Sequence, residues 1–214
     1  MSTLRKQSVL VGTLFLVTHV TSVGAVALYG SMLTDGQWLG DSDAGTRQLV
    51  GAALDIVLAL AVVGTGLGFL AILRNRAPIA GAAYAILRAV EAGVILAGAA
   101  AVTALVWLRA DGEGSPALLE LYRATFLIGP GLIVVANTLV LAITLFRLRL
   151  VPSWIPILGM VGAPLVGISN LATMFGAQEQ VSATASAAAV PIFAWEISLA
   201  VYLLVRGVRE PRLG

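Results

Sequence analysis

Six apolar runs, each about twenty residues or longer, constrain this chain more than any other feature. They lie near residues 8–32, 48–73, 80–108, 117–147, 154–175 and 186–206. A hydrocarbon layer about 30 Å thick is crossed by roughly 20 residues of helix, rising about 1.5 Å each. A lone strand in lipid would leave backbone groups unpaired, and barrel strands alternate apolar with polar residues, which these runs do not. The runs predict an all-α integral membrane bundle of six transmembrane helices with short loops, a single domain over residues 1–214. Composition agrees: 59% of the 214 residues are hydrophobic, 11% are charged, and mean hydropathy is +0.97. A soluble domain carries about a quarter charged residues. Too few polar residues remain to make a surface against water, so the partner expected on every side is a lipid bilayer.

The connections predict direction. Arg5, Lys6, Arg74, Arg76, Arg147, Arg149, Arg206, Arg209 and Arg212 fall on one side, and the chain has 13 basic residues in all. The other side has Arg47 and Arg109, with the acids Asp35, Asp41, Asp43, Asp111, Glu113 and Glu179. By the positive-inside rule both termini are expected in the cytoplasm of a bacterial inner membrane. That placement also accounts for the basic pI without nucleic acid. The basic start followed by "AVA" at 25–27 resembles a signal peptide, but the apolar run is longer than a signal core, so it is expected to remain as the first span. Asp35, Asp41 and Asp43 do not have the spacing of a calcium loop and read as a solvated acidic loop.

Small residues recur at four-residue spacing, as in Gly64 and Gly68 or Gly159 and Ala163, and predict close helix packing. Pro130 stands between two glycines inside the fourth run, where a kink is expected.

Ionisable residues within spans are costly, and they are the first candidates for function. Here they are His19, Asp55, Arg88, Glu91, Arg123 and Glu196. Counting rise along each run puts His19, Arg88, Glu91 and Glu196 near mid-membrane, and Asp55 with Arg123 in the outer third. Two clusters are therefore expected: a central one, and an outer pair of Asp55 with Arg123. Tyr84, Arg88 and Glu91 share one face of the third span, and Trp195 adjoins Glu196 on the sixth. Arg123, Pro130 and Asn137 fall on one stripe of the fourth. The ligand-binding set predicted from these positions is His19, Tyr84, Arg88, Glu91, Trp195 and Glu196, with Asp55 and Arg123. Glu196 and Glu91 are the candidates for any acid–base chemistry. The competing reading is structural: Arg88 neutralises Glu91, Arg123 neutralises Asp55, and the pairs fix helix register.

Several chemistries are excluded. One histidine cannot supply two-histidine haem ligation and makes a zinc site improbable. With no cysteine there is no thiolate chemistry. Lys6, the only lysine, lies outside the spans, so no retinal Schiff base forms. Phosphate-loop, dinucleotide, HExxH and GxSxG motifs are absent. No metal and no cofactor is expected.

Three stretches carry a family resemblance: "LRAVEAGVILAG", "GPGLIVVANTLVLAITLFRLRLVPSWIPILGMVGAPLV" and "PIFAWEISLAVYLLVRG". They resemble the bacterial membrane family known as domain of unknown function 4386, over nearly the whole chain. The family pattern often has a basic residue where this chain has Ser153, a change confined to the headgroup anchor. The resemblance implies a multi-pass bacterial membrane protein in which Arg88, Glu91, Trp195 and Glu196 belong to the pattern. It implies no activity.

Three readings of function remain open on the sequence. The favoured one is binding of a small amphipathic or lipid-like molecule at a polar midplane site, with transport as one use of that site. Spans three and six each carry a glutamate about ten residues in, from opposite sides, which suits two inverted halves. The second is an intramembrane enzyme using a buried glutamate as general acid on an isoprenoid or lipid, with Trp195 and Tyr202 as aromatic walls. The third is a structural or regulatory partner of another membrane protein. Oligomeric state is not legible.

Overall fold

A computed structural model describes residues 2–30, 32, 44–108 and 115–209. Asp35, Asp41, Asp43, Arg109, Asp111, Glu113 and Arg212 lie outside the described residues. The described chain is helical throughout its spans and has no strand. Helix α1 covers Thr3–Tyr29, α2 Ala44–Leu73 and α3 Pro78–Leu108. The fourth span is α4, Ser115–Phe126, a π-helical stretch Leu127–Ile133, and α5, Val134–Arg147. Helices α6, Trp154–Met174, and α7, Ala183–Val205, form spans five and six. Six helices among the described residues are long and apolar enough to cross a membrane.

Each span packs mainly on its neighbours in sequence, and span six returns to pack on span one. The result is a closed ring of six helices. Its outward faces carry exposed apolar side chains such as Val20, Leu60, Ile86 and Ile168, as lipid requires. Both ends of the described chain lie on the same side of the bundle. There the ring is filled by Phe15, Phe69, Leu141, Leu145, Trp195 and Leu203, all buried in one cluster. A second cluster, with Tyr29, Ala99, Leu105 and Tyr122, joins spans one to four at the opposite end.

The two ends of the chain clasp one another. The guanidinium of Arg5 donates to the carbonyls of Leu203 at 2.7 Å and Leu204 at 2.5 Å, at the C-terminus of α7. These carbonyls have no partner within the helix, and a cation there also meets the negative end of the helix dipole. Gly207 turns the chain with φ +75°, which lets Val208 donate to the Ser8 hydroxyl at 3.2 Å. Arg209 then donates to Leu150 at 2.8 Å.

Glycines allow the close approaches. A Cβ on Gly12 would stand 2.8 Å from the Ala200 carbonyl, so spans one and six meet backbone to backbone. Gly64 and Gly68 receive Leu14 and Val11 of span one, and Gly159 receives the Trp195 ring. The π-helical stretch answers to Pro130. Proline has no N–H and its ring would crowd the carbonyl four residues back. A wider turn relieves this, and Val134 donates to Gly129, five residues back.

Gly162 supplies a test. A Cβ there would lie 2.6 Å from the Ile192 amide nitrogen and 2.9 Å from the Pro191 carbonyl carbon. Gly162→Leu is expected to cost about 1–3 kcal/mol, as overpacking does. Gly93→Ala, where nothing lies within 4 Å, is expected to be neutral. Thermal unfolding in detergent checks both, and equal effects would contradict the packing.

Candidate functional site

Arg88 is the centre of the polar interior. It sits on α3 with 2% of its surface exposed. Its Nε donates to the Thr65 hydroxyl of α2 at 3.1 Å, and its Nη1 to Glu91 Oε2 at 3.1 Å, one helical turn on. Its guanidinium carbon lies 5.7 Å from the Phe15 ring centre and 5.9 Å from that of Tyr84. Glu91 Oε2 accepts a second hydrogen bond, 2.6 Å, from the Asn137 amide of α5. Glu196 of α7 approaches from the far side, with Oε1 at 3.9 Å from Arg88 Nη1. Its Oε2 stands 3.4 Å from His19 Nε2 of α1.

The histidine tautomer follows from its second nitrogen. His19 Nδ1 lies 2.8 Å from the Phe15 carbonyl. A carbonyl only accepts, so Nδ1 carries a proton and Nε2 faces Glu196. The edge of the imidazole meets the Phe193 ring, with centroids 4.7 Å apart.

These groups lie at the foot of a cavity of about 420 Å³ inside the ring. That volume is in the range of small-molecule sites. All six spans contribute to its wall. Arg88, Glu91, His19 and Glu196 supply the charged floor, and Val62, Ile95, Phe126, Val134, Val166 and Ile192 supply apolar wall. Gln180 and Val181 line it at the end away from the chain termini. The outer half of α7 stays close to span five at Gly162, but it faces the cavity, and its buried residues Trp195, Leu199, Ala200 and Leu203 all lie beyond residue 194. Val23 of span one and Phe193 of span six line the cavity and are exposed. Among the described residues the cavity thus runs from its charged floor to the connection between spans five and six, and the His19–Phe193 ring contact stands between spans one and six at its base.

The four mid-membrane residues expected together, His19, Arg88, Glu91 and Glu196, are brought together. Tyr84 lies behind Arg88, buried with its ring 5.6 Å from that of Phe69, and does not line the cavity. Trp195 also turns away, into the core against Gly159.

The expected outer pair is corrected. Asp55 accepts a 2.6 Å hydrogen bond from the Tyr29 hydroxyl, whose ring packs edge-on to Tyr122 at 5.0 Å. Arg123 instead holds Glu120 at 2.6 Å, near the exposed end of α4. The π turn between Arg123 and Asn137 breaks the regular spacing that would have kept both on one stripe.

Residues outside the expected set also serve the site. Asn137 and Thr65 satisfy Glu91 and Arg88. Asn170 of α6 donates to Gly131 in the π turn at 3.3 Å and lines the cavity. These are uncharged, and their signal in sequence is only a polar side chain within an apolar run.

Fold and site together define a multi-pass helical membrane protein with a charged seat inside its ring of spans. The chain belongs to the family described as Domain of unknown function (DUF4386), whose family model matches residues 10–207. No curated protein and no solved structure matches it.

The Arg88–Glu91 pair makes a measurable prediction. Arg88→Met leaves two carboxylates uncompensated and is expected to cost about 3–5 kcal/mol. Adding Glu91→Gln to it is expected to recover part of that loss. A double-mutant cycle by thermal unfolding reads this, and additive losses would mean that the pair does not carry the stability assigned to it.

Proposed function

We propose that this protein binds a small amphipathic molecule in its central cavity and moves it across a bacterial cytoplasmic membrane. The polar end sits on the floor made by Arg88, Glu91, His19 and Glu196. The apolar part lies along Ile95, Phe126, Val166 and Ile192. One observation carries the reading: a single cavity of about 420 Å³ joins a charged floor at mid-depth to an apolar wall. A pair that served only helix register would need no such space, and filling it would be favourable.

The apolar wall above the charged floor supports the amphipathic character of the ligand. The asymmetry of packing supports movement. Among the described residues the cavity extends away from the termini as far as Gln180 and Val181, and toward the termini the bundle is filled by Phe15, Trp195 and Leu203. A carrier keeps its site fixed and opens one side at a time. The short basic connections orient the filled side toward the cytoplasm. The enzymatic reading loses the two aromatic residues assigned to it, because Trp195 and Tyr202 are not among the residues that line the cavity.

Native mass spectrometry on gently purified wild type beside Glu196→Gln tests the binding. The expected result is a small amphipathic molecule on the wild type that is lost from a folded variant. Retention of the same molecule by both proteins would remove Glu196 from the site.

A further inference from the structure

We infer that the cavity's ligand is an amphipathic cation, an amine or quaternary ammonium on an apolar tail, which sits against Glu196 in exchange for one proton of the His19–Glu196 pair. This rests on the binding reading above and names its substrate class.

The argument is a charge count. Arg88 and Glu91 cancel one another at 3.1 Å, and each is tied further, to Thr65 and to Asn137. Rings of Phe15 and Tyr84 flank the guanidinium. Little of this pair is left for a ligand. Glu196 is different. Its side chain is 17% exposed against 5% for Glu91. Among the described residues no hydrogen bond reaches its carboxylate, and its nearest cationic neighbour, Arg88 Nη1, is 3.9 Å away. With His19 neutral, the floor therefore holds one guanidinium and two carboxylates, one negative charge in excess.

No other lining group removes that excess. Spans two, four and five present no ionisable side chain to the cavity. Asp55 of span two, bound to Tyr29, and Arg123 of span four, bound to Glu120, are not on its wall. Tyr84 of span three is an uncharged phenol behind Arg88. The count closes in one of two ways. A proton can sit between His19 Nε2 and Glu196 Oε2, which face one another at 3.4 Å. Or a cationic head can take its place beside Glu196, with the proton released to water. Both states are neutral overall, which is what a low-dielectric interior favours. An anionic head would add to the excess. The Phe193 and Phe126 rings on the cavity wall suit a cation further, since aromatic faces attract ammonium groups.

Decyltrimethylammonium and decyl phosphate share a tail and differ in the sign of the head. Each is titrated below its micelle-forming concentration into the purified full chain, by calorimetry with a pH indicator in weak buffer. The expected result is that the cation binds at least about tenfold more tightly than the phosphate, with release of up to one proton per cation bound. Glu196→Gln is expected to weaken the cation by about tenfold or more, and Glu196→Asp to retain part of the affinity. Tighter binding of decyl phosphate would overturn the cation inference and leave the cavity reading standing. Cation binding without proton release, or unchanged in Glu196→Gln, would also overturn it. Binding of neither probe by wild type would sink both readings. The comparison of the two probes on wild type stands even if a variant fails to fold.

Discussion

A guanidinium at mid-membrane depth cannot be left alone, and the interior of this protein is organised around that of Arg88. A charged side chain at the centre of a bilayer costs a few kcal/mol on insertion scales and more on an isolated helix. Here the cost is offset from several helices at once. Span two gives Thr65, span three Glu91, span four Asn137 through Glu91, span one the Phe15 ring, and span six Glu196 at longer range. One side chain thus fixes the rotation of most of the ring. The weakest of these ties, to Glu196, belongs to α7, none of whose residues before Trp195 is buried.

That difference in tightness runs through the whole structure. Toward the chain termini, spans one and six meet at Gly12, and Arg5 holds the end of α7. Away from them the interior holds the cavity. Small residues make the close packing: with no Cβ at Gly12, spans one and six touch, and with none at Gly162, spans five and six touch. The π turn at Pro130 contributes to the cavity, since Pro130 and Gly131 both line it.

Much of the fold was legible because lipid imposes a simple rule on length and polarity. The six runs became six spans, with ends displaced by a few residues. Span one starts at Thr3 rather than near residue 8 because Ser2 caps it, accepting from Arg5 at 3.3 Å. Depth was legible too, since rise per residue is fixed, and it placed His19, Arg88, Glu91 and Glu196 on one level. Azimuth was not. Asp55 and Arg123 share a depth, yet the nearest donor to Asp55 is a tyrosine on span one, and the π turn sits between Arg123 and the rest of its stripe. Trp195 precedes Glu196 by one residue, about 100° around the helix, and the room for its ring is at Gly159 of span five rather than in the cavity. The neutral partners Thr65 and Asn137 gave no signal apart from their polarity.

The proposed function requires that water and ligand reach mid-membrane inside the ring. The chain has no cysteine, so single cysteines can be introduced without background. Ser22→Cys and Ala189→Cys, which line the cavity, are expected to react with a small charged thiol reagent in intact membranes. Leu60→Cys, on the lipid-facing surface, is expected not to react. If the cavity positions are as unreactive as the lipid-facing one, the polar interior is a closed core and the account is wrong.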